Sequence, residues 1–162
     1  MILPLLLALA QITPTQQMPR GTGLPPAVAE SAADPQAVLA TVQRLLGALE
    51  TGDRATILAV TRPDGGATAA MERPDGRRMV RRIGWAEFVA GLEGGADRWS
   101  EAISDPAVEV DGDIAMVWAP YVVKKNGVAD HCGFDHFDLV REAGQWKILN
   151  VTWSQRTTGC TP

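Results

Sequence analysis

The chain has 162 residues, of which 46% are hydrophobic and 21% charged, and its net charge at pH 7 is -4. This length suits one domain with a single sizeable core. The acidic balance argues against nucleic acid as a partner, because no basic face is available to neutralise phosphates. Five arginines cluster between Arg73 and Arg82. We expect this cluster to be a solvent-exposed charged stretch rather than a phosphate site.

The first ten residues, MILPLLLALA, are apolar and uncharged, and Ala8-Leu9-Ala10 has the small-x-small form of a signal-peptidase site. We therefore predict a signal peptide over residues 1–10, cleavage near Ala10/Gln11, and a periplasmic or secreted protein. The segment is too short to cross a bilayer, so no membrane span is expected in the mature chain. Residues 11–33 are rich in Pro, Gln, Thr, Ala and Gly, which is typical of a flexible lead-in. A buried or frayed N-terminus in a cytoplasmic protein remains the alternative.

Residues 34–162 are predicted to form one domain that begins with helices. Asp34-Pro35 is a helix start, and Gly52 ends a helix whose apolar residues recur every three or four positions. Asp53 caps a second helix through Val60, and Pro63 to Gly66 is predicted to be a turn. A short hairpin (67–72 and 77–82), a third helix (85–92) and a strand (98–110) follow.

Three consecutive antiparallel strands then close the domain, at 114–123, 128–141 and 146–155. Asn126-Gly127 and Ala143-Gly144 are predicted to be two-residue turns, since both positions of such a turn need positive φ. Strict alternation then defines a predicted pocket face: Ile114, Met116, Trp118, Pro120, Val122, His131, Gly133, Asp135, Phe137, Leu139, Trp146, Ile148, Asn150, Thr152 and Ser154. A slip of one residue, or a β-bulge, would exchange this face with the other.

The opposite, convex face holds a second apolar set, and the three helices can cover only one side of the sheet. Its exposed patch is predicted to contain Val117, Tyr121, Val123, Phe134, Val151 and Trp153. Such a patch exceeds what monomers usually expose. We therefore expect a homodimer through the convex sheet face.

Asp135 is the leading candidate for chemistry, because burial opposite Trp118 and Thr152 would raise its pKa and make it a general base. The alternative is a structural carboxylate bonded to Thr152 or to a helix-end amide. His131 lies on the same face, about 13 Å along the strand. It is therefore expected to contact the other end of a ligand, or to line the solvent-exposed rim of the pocket, rather than to form a dyad with Asp135.

Ligand binding is predicted for six residues of the pocket face: Trp118, Met116, Phe137, Asn150, Thr152 and Ser154. Their gradient from apolar to polar fits a small apolar or aromatic molecule. No metal is expected, because His131 and Asp135 face one way in the strand and Cys132 and His136 the other. No cofactor is expected either.

Cys132 and Cys160 are the two cysteines of the chain. In an oxidising compartment they could form a disulfide that closes a loop of about 28 residues and contributes about 3 kcal/mol. Two unpaired thiols remain the alternative.

This element order resembles the nuclear transport factor 2-like superfamily, which includes ketosteroid isomerase and SnoaL-like cyclases. The resemblance covers residues 34 to 155. It is carried by Leu49-Glu50-Thr51-Gly52-Asp53 and by Phe137-x-Leu139-Val140-Arg141-x-x-Gly144-x-Trp146-Lys147-Ile148, while His131-Cys132-Gly133-x-Asp135-x-Phe137 is similar to SnoaL-like and lumazine-binding-like bacterial members. It implies a cone-shaped α+β fold, in which three helices of the N-terminal half cover the concave face of a curved antiparallel sheet and the convex face dimerises. Residues 34–62 lack the tyrosine that the isomerases use, so the resemblance implies no particular active site.

Together these observations predict an exported protein that binds a small molecule in the cone without a demonstrated reaction. A cofactor-independent isomerase, dehydratase or cyclase is the alternative, with Asp135 as base and His131 or Asn150 polarising a carbonyl. A protein-interaction module that uses the wide mouth of the cone is the second alternative.

Overall fold

The computed structural model describes residues 34–92 and 96–160, so the predicted signal peptide and lead-in lie outside the described residues. The helices are α1 (Asp34–Thr51), α2 (Arg54–Val60) and α3 (Trp85–Ala90). The strands are β1 (Thr61–Glu72), β2 (Arg78–Gly84), β3 (Trp99–Ile103), β4 (Ala107–Asp111), β5 (Ile114–Lys125), β6 (Val128–Glu142) and β7 (Gln145–Gln155). They form one curved, mostly antiparallel sheet in the order β2-β1-β7-β6-β5-β3, with β4 also paired to β5. The predicted α+β class with three helices is confirmed.

The helices form where the sequence predicts them. The apolar stripe of α1 is buried, with Val38, Val42 and Leu45 at 2% exposure or less. The Asp53 carboxylate accepts a hydrogen bond from the backbone N–H of Thr56 at 3.0 Å, which satisfies a free amide in the first turn of α2. These helices cover one side of the sheet, hereafter the inner face. None of the helices in the described ranges is long and apolar enough to cross a membrane.

The predicted turn from Pro63 to Gly66 is wrong, because these residues belong to β1. β1 runs parallel to β7, and its register shifts between Thr61 and Gly66. A Cβ atom on Gly65 would lie 1.7 Å from the carbonyl oxygen of Leu149, so only glycine permits this close approach of the two strands. A turn-like composition here marks an irregular strand.

Both predicted hairpin turns are present. Asn126 and Gly127 have φ values of 52° and 82°, and Ala143 and Gly144 have values of 48° and 77°. Positive φ at both central positions matches the right-handed twist of the flanking strands.

The predicted register is wrong beyond the first turn, because β6 contains a bulge. Lys124 pairs with Ala129, but Val123 pairs with His131, which leaves Asp130 as an extra residue. From Val123 to Ile114 the partner is therefore one residue later than strict alternation predicts. Strict alternation puts five β5 residues on the convex side, but in the structure they share the inner face with His131, Asp135 and Phe137. These residues are Ala115, Val117, Ala119, Tyr121 and Val123.

A second bulge in β7 produces the same inversion on the other side of β6. Leu139 pairs with Ile148 and Asp138 with Asn150, so Leu149 is the extra residue. Before the bulge, Trp146 and Ile148 are buried on the inner side as predicted. After it, Val151 and Trp153 lie on the inner face, opposite Phe137 and Asp135. The convex patch predicted from strict alternation therefore keeps only Phe134 on the outer face.

Candidate functional site

A cavity of about 290 Å³ lies between the inner face of the sheet and the helices α1 and α3. Most of its lining is apolar and comes from both layers: Leu45, Leu46, Leu49, Ala67, Trp85, Phe88, Val123, Phe137, Val151 and Trp153. The polar part of its lining consists of Glu101, Tyr121, His131, Asp135 and Gln155. Among the described residues, the lining contains neither lysine nor arginine.

Asp135 is a deeply buried carboxyl group in this lining. Its side chain projects from β6, the residue is 3% exposed, and its Oδ2 atom has no hydrogen-bond partner among the described residues. Burial, together with the negative charge of Glu101 and a hydrogen bond to its carboxyl group, raises the pKa of Asp135 to about 10. At neutral pH this residue is therefore a carboxylic acid that can donate a hydrogen bond.

Glu101 is the partner of Asp135 and was not predicted. It lies on β3 opposite Val123, and β3 pairs with β5. Burial raises the pKa of Glu101, while the hydrogen bond from Asp135 and a positive charge on His131 oppose that rise. The signal in the sequence was an acid at the central, inner position of the alternating stretch Trp99, Glu101 and Ile103.

Tyr121 lies beside this carboxyl pair, on the inner face of β5. It pairs with Gly133, and its hydroxyl group donates a hydrogen bond to the carbonyl oxygen of Ser154 at 3.0 Å. Burial, and then the charges of Asp135 and Glu101, raise the pKa of Tyr121. Because its proton is committed to Ser154, the hydroxyl oxygen can offer the cavity only a hydrogen-bond acceptor.

His131 is half-buried and lies nearer to solvent than Asp135. Its Nδ1 atom lies 2.8 Å from a carboxylate oxygen of Asp130, the extra residue of the β6 bulge. Its ring packs edge-on against Tyr121, with ring centroids 5.9 Å apart. The structure thus brings His131 and Asp135 to one cavity, but Tyr121 and Glu101 accompany them.

Trp85 shapes the apolar end of the cavity and is held by the β7 bulge. Its indole N–H donates a hydrogen bond to the carbonyl oxygen of Leu149 at 3.0 Å, and Phe88 packs edge-on against it with centroids 5.8 Å apart. The bulge therefore orients the Trp85 side chain and also determines which residues of β7 face the cavity.

Of the six residues predicted to bind ligand, Phe137 lines the cavity. The predicted place of the other five on the pocket face is wrong, because the two bulges put them on the outer face: Trp118, Met116, Asn150, Thr152 and Ser154. Trp118 is 46% exposed and stacks on Phe134, with centroids 5.3 Å apart. Asp135 consequently lies opposite Ala119 and Trp153 rather than opposite Trp118 and Thr152.

Cys132 and Cys160 form a disulfide, with Cα atoms 5.5 Å apart. The bond ties the segment after β7 to β6, beside the backbone bridge between Cys132 and Arg156. In the described part of the chain, no three His, Cys, Asp or Glu side chains come together as a group that could hold a metal ion.

The chain shares its fold with solved structures described as nuclear transport factor 2-like. It is similar to an NTF2-like protein of unknown function from Pseudomonas putida, at 17% identity and a TM-score of 0.62, over 82% of this chain and 99% of that one. It is also similar to a Streptomyces avermitilis protein described as a "putative dehydratase from the NTF2-like family", at 20% identity and a TM-score of 0.55, over 76% and 96% of the chains. A third similar structure is the CaMKII hub of S. rosetta, at 23% identity and a TM-score of 0.58, over 78% and 100%.

Residues 33–154 match the model of the family described as "Putative lumazine-binding", and the chain belongs to this family. Together with the shared fold, this match confirms the predicted resemblance to the nuclear transport factor 2-like superfamily. A comparison with curated proteins gives no significant match.

Proposed function

We propose that this chain binds a small, largely apolar or aromatic molecule in the inner cavity and that a hydrogen-bonding group of that molecule contacts the carboxyl group of Asp135. The observation that carries the proposal is the buried Oδ2 atom of Asp135, which lines the cavity and has no partner in the described residues. A buried polar group without a hydrogen bond costs about 1–3 kcal/mol. A ligand that supplies the missing bond regains that free energy.

The lining also restricts the charge of the ligand. A negative charge on Glu101 repels an anion, and the described residues of the lining offer it no lysine or arginine. The apolar wall around Trp85 and Phe88 favours a planar, uncharged body. Lumazine, which the family description names, is a bicyclic aromatic compound with carbonyl groups, so it is a suitable first probe.

Titration of the protein with lumazine, followed by quenching of tryptophan fluorescence, tests this proposal. We expect saturable binding that Asp135→Leu weakens by about 5-fold or more, because one hydrogen bond to the ligand is lost. Asp135→Asn keeps a donor and should bind within about threefold of the parent. Asp111→Leu, at an exposed carboxylate in β4, is the matched control. Unchanged affinity in Asp135→Leu would contradict the proposed site.

A second function, cofactor-independent dehydration or isomerisation, is favoured by the coupling of Glu101 with Asp135. The raised pKa of Asp135 supports an acid role for it and leaves Glu101 as the base, a division different from the Asp135 base predicted from the sequence. In dehydration of a β-hydroxy ketone, Glu101 would take the α-proton. The C–O bond would then break, and Asp135 would protonate the departing hydroxyl group to give water.

The ketone 4-hydroxy-4-phenylbutan-2-one is a direct probe for this reaction, because its dehydration gives a conjugated enone that absorbs in the near ultraviolet. We expect Glu101→Gln and Asp135→Asn each to abolish enone formation. Asp138→Asn, at a carboxylate on the outer face of β6, should leave it unchanged. Equal rates in all variants and in buffer would exclude this enzyme function for the probe.

We propose in addition that the protein is exported and forms a homodimer. The Cys132–Cys160 disulfide and the apolar residues 1–10 support export. Mass spectrometry of the protein from its native host should find a mature chain that starts near Gln11, and an intact Met1 would contradict export.

The exposed stack of Trp118 and Phe134 supports dimerisation through the outer, convex face. Sedimentation should show a dimer that Phe134→Asp weakens, and a monomeric parent protein would exclude it.

A further inference from the structure

β2 is an edge of the sheet that no described strand covers. Arg78 to Gly84 pair with β1 on one side, and the strand order ends there. An edge strand presents unpaired backbone N–H and C=O groups, which can pair with an additional strand. Val80, in the middle of β2, is 72% exposed.

The hairpin that carries this edge has the opposite charge to the rest of the chain. Residues 72–82 contain five arginines and two carboxylates, a net charge of +3, whereas the remainder of the chain carries -7. All five arginines are exposed: Arg73, Arg77, Arg78, Arg81 and Arg82. An acidic partner is therefore repelled by most of the molecule and attracted to this hairpin.

Only part of this positive charge is neutralised locally. Arg77 pairs with Asp75 at 2.7 Å and Arg78 with Glu72 at 3.3 Å, whereas Arg73, Arg81 and Arg82 make no ion pair with any described residue. The two of these that lie on β2 point to opposite sides of the sheet, since Arg81 pairs with Ala69 and Arg82 with Thr68 in successive positions. The edge thus offers one free positive charge on each side of the strand.

We propose that β2 docks an extended acidic segment of another protein by strand addition. The backbone of that segment would pair with the open edge, and acidic side chains on both sides of it would meet Arg81 and Arg82. A second copy of β2 does not fit, because it would bring arginines against arginines. A flat anionic membrane fits less well, because it can face only one side of the sheet.

The test uses a fluorescein-labelled seven-residue peptide, Val-Glu-Glu-Val-Glu-Glu-Val, which places glutamates on both sides of the added strand. Its binding is followed by fluorescence anisotropy at low and at physiological salt. We expect Arg81→Gln/Arg82→Gln to weaken binding about 2- to 30-fold, the range for the loss of two exposed ion pairs. Arg44→Gln/Arg98→Gln removes the same charge from exposed sites elsewhere and should leave the affinity within about twofold. A lysine-valine peptide of equal length should not bind.

A backbone test separates strand addition from charge attraction alone. One version of the acidic peptide is methylated at the backbone nitrogens of its odd-numbered residues, and a second version at those of its even-numbered residues. In one of the two, every N–H group that would face β2 is blocked. That version should bind at least about tenfold more weakly, since it cannot donate to the edge. Equal binding of both methylated peptides would overturn the proposal. So would equal binding by the Arg81/Arg82 variant, or binding to vesicles of 30% phosphatidylglycerol in phosphatidylcholine without binding to the peptide.

Discussion

Replacement of Asp135 by asparagine should change how stability depends on pH. The pKa of Asp135 is raised to about 10 by burial and by Glu101, whereas the ordinary pKa of an aspartate side chain is 3.8. Between these two values the folded chain holds a proton that the unfolded chain has lost. Stability therefore decreases as pH rises, by up to about 1.4 kcal/mol per pH unit. Asp135→Asn removes this contribution, so from pH 5 to pH 7 its stability should gain up to about 3 kcal/mol on the parent.

Urea unfolding followed by circular dichroism, at several pH values from 5 to 8, measures this difference. The buried amide of the variant can shift its stability by a constant amount at every pH, but it cannot titrate. The test is therefore the slope of stability against pH, compared between the variant and the parent. Asp111→Asn is the control, because this carboxylate is exposed in β4. Parallel pH curves for the parent and Asp135→Asn would refute a protonated Asp135.

Three further substitutions test the packing around the site. Gly133→Ala should lower the thermal midpoint by several degrees, because its Cβ atom would lie 1.9 Å from the carbonyl oxygen of Ser154. Gly47→Ala in α1 is the contrasting case, because its Cβ atom would meet nothing within 4 Å, and it should increase the free energy of unfolding by about 0.5–1 kcal/mol. Cys160→Ser opens a 28-residue loop and should cost about 3 kcal/mol in chemical denaturation, and equal midpoints of the variant and the parent under non-reducing conditions would contradict it. Tyr121→Phe should cost about 1 kcal/mol through the lost hydrogen bond to Ser154, with equal stability counting against that bond.

The local signals in the sequence were reliable where one residue type satisfies a local constraint. Asn126-Gly127 supplies the positive φ of a tight turn, and Asp53 supplies an acceptor for free helix amides. These constraints act within four residues, so sequence spacing predicts them directly. The three helices and the order of the last three strands followed from such signals.

The face of each residue depended on features that have no local signature. Neither Asp130 nor Leu149 identifies a bulge by its residue type, yet each inserts one position and reverses every side chain beyond it relative to strict alternation. Glu101 joins Asp135 only because β3 pairs with β5, which in turn pairs with β6. Periodicity could place Asp135 and Phe137 in the cavity, but it could not determine which residues of β5 and β7 accompany them.

The bulge at Leu149 determines which side chains of β7 reach the cavity. If Leu149 paired regularly with Asp138 instead, Asn150 and Thr152 would take the places of Val151 and Trp153 opposite Phe137 and Asp135. Deletion of Leu149 would only remove the extra residue, so Val151 and Trp153 would still face the cavity. A relative that is one residue shorter at this position should therefore keep the apolar wall, whereas a relative of equal length without the bulge should present an amide and a hydroxyl group to its ligand.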